Sequence, residues 1–105
     1  MKFSLIVNKV VLGYIDYTDK QDYIFINLIL IYNKFRGNNY SEMLFNQFKK
    51  IFSDCEIHLL AKEDMNRYNK LFSLYKSWGF KSRGKVSIYS DTFTTYRKQY
   101  FILNQ

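Results

Sequence analysis

The chain predicts an α/β fold of the α+β kind, a mixed sheet with helices packed on it in the order β-β-β-α-β-α-β-β. Three observations carry this. Short runs rich in β-branched and aromatic residues recur with alternating or near-continuous apolar character, as strands do. Two other segments, Ser41 to Phe52 and Asp64 to Trp78, space their apolar residues three and four apart, as helices do. Turn-forming residues fall between these segments, and the chain contains no Pro.

Taken in order, Phe3 to Val7 reads as a strand, and Asn8-Lys9 as the tight turn into its hairpin partner, Val10 to Tyr17. Thr18 to Asp22 is polar and turn-like. Tyr23 to Tyr32 is a third strand whose apolar, β-branched character suits a central position. Asn33 to Asn39 is a loop. Ser41 to Phe52 then places Leu44, Phe45, Phe48, Ile51 and Phe52 at helical spacing. Glu42 stands in its first turn and Lys49 and Lys50 in its last, the charge order a helix dipole favours. Glu56 to Ala61 alternates like a strand. Asp64 to Trp78 puts Tyr68, Leu71, Phe72, Tyr75 and Trp78 on one helical face, with Gly79 as a natural stop. Phe80 opens a strand region that Lys85 to Tyr89 continues or pairs with, and Tyr96 to Leu103 is the last strand.

Residues 1–105 read as a single domain: 48% of the side chains are apolar, enough for a packed core, and the chain is too short for two. No apolar run approaches the ~20 residues that cross a bilayer; the longest, Ile24 to Tyr32, is broken by Asn27. The N-terminus has a lone Lys before a short apolar segment and no small-residue cleavage site, so it reads as strand and not as signal peptide. Cys55 is the only cysteine and His58 the only histidine, so neither an internal disulfide nor a metal site is expected, and a cytoplasmic setting fits. The net charge of +7 raises the question of nucleic acid. The lysines, among them Lys2, Lys9, Lys20, Lys34, Lys49, Lys50, Lys62 and Lys70, are scattered without a cluster, so no nucleic-acid partner is expected. The 20% aromatic content points instead to a homodimer that covers an apolar face.

Most of the chemistry lies in Ile24 to Phe45, IFINLILIYNKFRGNNYSEMLF. An apolar strand runs into a basic, Gly- and Asn-rich turn that opens directly into an amphipathic helix. Such a turn presents unpaired backbone N–H groups and the positive end of the helix dipole, a site for phosphate or pyrophosphate. Gly37 takes positive φ at little cost, and Asn38 and Asn39 tolerate left-handed geometry. Arg36 adds a rigid positive fork. An ordinary strand-to-helix turn uses the same residue types, so a second segment has to decide. Leu71 to Lys81, LFSLYKSWGFK, is the end of a helix, a Gly stop and the start of a strand.

In this order the two segments resemble the GNAT superfamily of acyl-CoA-dependent N-acetyltransferases. The family's pyrophosphate loop, Arg/Gln-x-x-Gly-x-Gly/Ala, falls on Arg36, Gly37, Asn38, Asn39, Tyr40 and Ser41, with Asn39 at the first motif glycine and Ser41 at the second small residue. Its later signature is an apolar residue, Tyr, two variable residues, an apolar residue, Gly and Phe. That pattern falls on Leu74, Tyr75, Lys76, Ser77, Trp78, Gly79 and Phe80. The resemblance runs from about Phe3 to Phe80. It implies a mostly antiparallel GNAT-like sheet with two main helices, in a minimal member lacking the N-terminal strand and paired helices that build part of the acceptor site. It also implies acetyl-CoA as acyl donor and a primary amine as acceptor. The alternative is a catalytically degenerate unit of the same fold that binds or dimerises.

The resemblance assigns roles as well. Backbone groups of Leu30 and Ile31 would pair with the pantetheine arm and polarise the acyl carbonyl, and the amides of Arg36 to Ser41 would hold the pyrophosphate. Asn69 or Asn66 would hydrogen-bond the pantetheine. Tyr75 would donate its hydroxyl proton to the departing sulfur, which a phenol protonated at neutral pH can do without tuning. Each residue also has a purely architectural reading: core strand for Leu30 and Ile31, a packed aromatic for Tyr75, a cap or surface position for the asparagines. The third strand offers no acid, so no general base stands out; His58, with Glu56 on the same strand face, is the nearest candidate.

Overall fold

The computed structural model of the chain describes residues 1–63, 68–89 and 95–105. Its elements are β1 (Lys2–Val7), β2 (Val10–Asp19), β3 (Tyr23–Ile31), a 3₁₀ turn (Asn33–Phe35), α1 (Tyr40–Ile51), β4 (Glu56–Glu63), α2 (Tyr68–Ser77), β5 (Lys81–Tyr89) and β6 (Thr95–Leu103). This is the expected order, in a mixed α+β fold with two main helices and a six-stranded, mostly antiparallel sheet. One difference is local: the loop after β3 contains a 3₁₀ turn, closed by Arg36 N–H on the Asn33 carbonyl at 3.3 Å. Of the two arrangements open to Lys85 to Tyr89, the chain takes the first and continues the strand that begins at Lys81. The chain forms two compact units, Met1–Ile57 with Gln105, and His58–Asn104.

In the first unit β1, β2 and β3 form an antiparallel meander. Asn8 and Lys9 both sit at positive φ, 50° and 66°, the primed-turn geometry whose twist matches the strands it joins. The register shifts twice, leaving Leu12 as the extra residue on β2 and Asn27 on β3; Asn27 Nδ2 donates to Thr18 Oγ1 at 2.9 Å. One face of the meander carries α1. There Phe3 and Tyr17 meet the Phe48 ring edge-on at 5.7 and 5.3 Å, over a core of Leu5, Ile15, Ile24, Ile26, Leu44 and Phe45. Ile51, expected on the apolar stripe, is 61% exposed. At 100° per residue it lies about 75° from the centre of the stripe formed by Leu44, Phe45, Phe48 and Phe52, and so beyond its margin. The other face leaves Ile6, Val11, Leu28 and Tyr32 exposed. Past the end of α1, Gln105 donates its side-chain amide to the Phe52 and Cys55 carbonyls at 2.7 and 3.2 Å.

In the second unit the strand order is β4-β6-β5, with β5 and β6 antiparallel. α2 sets Phe72 and Tyr75 edge-on to Phe101 at 5.4 and 5.5 Å. The expected helix start at Asp64 falls outside the described residues. The C-terminal end of α2 is a Schellman cap. Gly79, at φ 100°, donates its N–H to the Lys76 carbonyl at 3.0 Å, and Phe80 N–H reaches back to the Tyr75 carbonyl at 3.1 Å. The apolar contact that accompanies such caps is made by the Phe80 and Tyr75 rings at 6.1 Å. Buried Gln99 on β6 donates to Ser82 on β5.

Candidate functional site

The loop between β3 and α1 is built by local geometry. Gly37 lies at φ 89° with no heavy atom within 4 Å of where a Cβ would stand. Asn38 folds its side chain back, Nδ2 donating to the Phe35 carbonyl at 3.3 Å. Asn39 is the left-handed residue, φ 59° and ψ 24°, and forms the N-cap of α1 without a side-chain cap bond. Its carbonyl accepts Met43 N–H at 3.3 Å, so the helix begins at Tyr40, one residue before its expected start. Among the described residues, no group accepts a hydrogen bond from the backbone N–H groups of Gly37, Asn38, Asn39, Tyr40, Ser41 or Glu42. A run of unpaired donors thus coincides with the positive end of the α1 dipole. Chemically this is an anion cradle.

Arg36 has a role that its charge did not reveal. Its Nε donates to the Ile31 carbonyl at 3.1 Å, tying the loop to the end of β3. Ile31 is buried and Leu30 half-buried, so the strand end is both packed and partly accessible. Opposite Ile31 in the register stands Gly13. A glycine inside a strand pattern was the available signal for a close backbone approach there, and sequence reasoning passed over it.

Tyr75 is half-buried in α2, its ring edge-on to Trp78 at 5.6 Å as well as to Phe80 and Phe101. Asn69 lies in the first turn of α2, and its side chain, like the whole of Asn66, is outside the described set. His58 is 8% exposed, and its Nδ1 is 2.7 Å from the Tyr100 hydroxyl. Because Tyr100 and Phe101 alternate along β6, that pair lies on the sheet face opposite the one where Tyr75 packs. An open depression of about 470 Å³ runs along the exposed face of α1 and shares only Asn39 with the loop. Among the described residues, no group of three His, Cys, Asp or Glu side chains is placed to hold a metal ion, and no helix is long and apolar enough to cross a membrane.

No family model and no curated protein matches the sequence. Solved structures match the fold, and the fold they define is that of the GNAT acetyltransferases. One is the ribosomal-protein-S18-alanine N-acetyltransferase of Escherichia coli, with a TM-score of 0.81 and 14% identity, over 98% of this chain and 67% of that one. Another, from Bacteroides thetaiotaomicron, is described as a GNAT-family acetyltransferase, with a TM-score of 0.80, 11% identity and coverage of 97% and 60%. A third, from Bacillus anthracis, is described as a streptothricin acetyltransferase and was solved in complex with acetyl coenzyme A. Its TM-score is 0.76 at 18% identity, covering 95% of this chain and 59% of that one. The chain therefore spans about three-fifths to two-thirds of the length of these relatives.

Proposed function

We propose that the chain is an acyl-CoA-dependent N-acetyltransferase that moves an acetyl group from acetyl-CoA to a primary amine by direct attack. The observation that carries this is the run of unpaired N–H groups from Gly37 to Glu42, beside Arg36, on a chain with the GNAT fold. Acetyl-CoA supplies the activated acetyl group; the C–N bond forms as the C–S bond breaks, and the amine proton passes to water. The amides of Gly37, Asn38, Asn39, Tyr40 and Ser41 hold the pyrophosphate, with Arg36 as the adjacent cation. Backbone groups of Leu30 and Ile31 pair with the pantetheine arm and orient the acyl carbonyl, and Asn69 hydrogen-bonds the same arm. Tyr75 hands its hydroxyl proton to the departing sulfur and regains one from the water that took the amine proton. The same reading places the protein in the cytoplasm as a homodimer whose second copy covers the apolar face of the first unit.

Calorimetric titration with acetyl-CoA, beside an Arg36→Glu variant, tests the proposal. Micromolar binding that the variant loses supports it. Well-folded wild-type protein that binds no acetyl-CoA ends the enzyme reading and leaves a binding unit of the same fold.

A further inference from the structure

Gly13 sits within β2, where a glycine weakens a strand and needs a reason. Conformational freedom is not that reason, because Gly13 is not among the glycines at positive φ, which in the described residues are Gly37 and Gly79. The reason is space. The Leu30 carbonyl oxygen occupies the place a Cβ on residue 13 would fill, and the Ile31 Cδ1 and Cα would stand 2.8 and 2.9 Å from that atom. Two of these three obstacles are backbone atoms, so no rotamer change clears them. The next carbonyl along, that of Ile31, is the one Arg36 Nε holds at 3.1 Å. Consecutive peptide groups at the exit of β3 are thus set by residues 13 and 36. An ordinary antiparallel ladder requires neither, since a β-branched residue at position 13 would pair better.

We propose that Gly13 and Arg36 are positioning residues that place the Leu30–Ile31 backbone for the acyl-bearing arm of acyl-CoA; this rests on the acetyltransferase reading above. Gly13 admits the Leu30 carbonyl toward β2. Arg36 ties the Ile31 carbonyl to the loop that opens α1, so strand end and anion cradle keep one geometry. Gly13 acts on the acyl end alone, whereas Arg36 acts on the acyl end through its Nε and on the anion through its charge.

Calorimetry with two probes separates these roles: acetyl-CoA, and ADP, which carries a pyrophosphate without the pantetheine arm. Gly13→Ala is expected to weaken acetyl-CoA binding roughly tenfold or more while ADP affinity changes less than about twofold. Arg36→Lys, which keeps the charge and removes the Nε donor, is expected to show the same split. Unchanged acetyl-CoA affinity in these variants, or equal losses for both ligands, overturns the proposal. Should Gly13→Ala fail to fold, Arg36→Lys decides by the same two readings. A wild type that binds acetyl-CoA but not ADP also overturns it, because the anion cradle then has no separate affinity to preserve. A wild type that binds neither ligand overturns the acetyltransferase reading itself, an outcome distinct from normal binding by all variants.

Discussion

At the scale of single residues, Tyr75 and Gly79 show how one short motif closes a helix and packs its end, and the proposed mechanism adds a chemical role for the Tyr75 hydroxyl. The Tyr75 ring is held by Trp78, Phe80 and Phe101, and its carbonyl closes the helix cap. Those contacts belong to the ring and backbone, so Tyr75→Phe preserves them. Under the proposed mechanism it lowers kcat by about 10²-fold or more at unchanged acetyl-CoA affinity. A kcat equal to wild type would reduce Tyr75 to a packing residue. Gly79 is required for a different reason: φ 100° strains any L side chain, and a Cβ there would stand 3.1 Å from Leu103 Cδ1. Gly79→Ala is expected to cost about 1–2 kcal/mol in urea unfolding; an unchanged midpoint and slope would contradict the cap assignment.

At the scale of elements, the proposed anion site sets helix stability against anion affinity at the start of α1. Asn39 supplies the left-handed turn but no side-chain cap, so the first N–H groups of α1 stay available. Glu42, exposed in the first turn, answers the dipole in their place. The same carboxylate repels an anion seated on those donors. Glu42→Gln is therefore expected to tighten acetyl-CoA binding about two- to fivefold, the equivalent of ~0.4–1 kcal/mol, and to destabilise the protein by a similar amount. Calorimetry and thermal melting read the two halves of that exchange; a loss of affinity would place the anion elsewhere.

At the scale of the whole molecule, the proposed homodimer rests on the exposed apolar residues of the β1-β2-β3 meander. Ile6 is 58% and Leu28 46% exposed, with Val11 and Tyr32 beside them. Apolar area of this kind on a small chain favours a second copy. Sedimentation at micromolar concentration is expected to give a dimer, and Leu28→Lys to give a folded monomer. A wild type of monomeric mass would refute the homodimer.

What the sequence determined by itself is whatever nearest neighbours along the chain dictate. Periodicity set the element order, Asn8-Lys9 the hairpin turn, and Gly79 with Phe80 the end of α2, because turns and caps close within a few residues. The left-handed tolerance that Asn39 uses was legible for the same reason. Tertiary structure decided the rest. Ile51 lies outside the buried stripe, Arg36 spends its Nε on the Ile31 carbonyl, and the Leu30 carbonyl fills the space over Gly13. The latter two are contacts with backbone atoms, which every residue type carries alike. Strand register brings the Leu30 carbonyl over residue 13, and the path of the loop after β3 brings Arg36 back to Ile31, five residues away. Spacing and periodicity name neither backbone partner, although a glycine inside a strand pattern does mark residue 13 as a place of close approach.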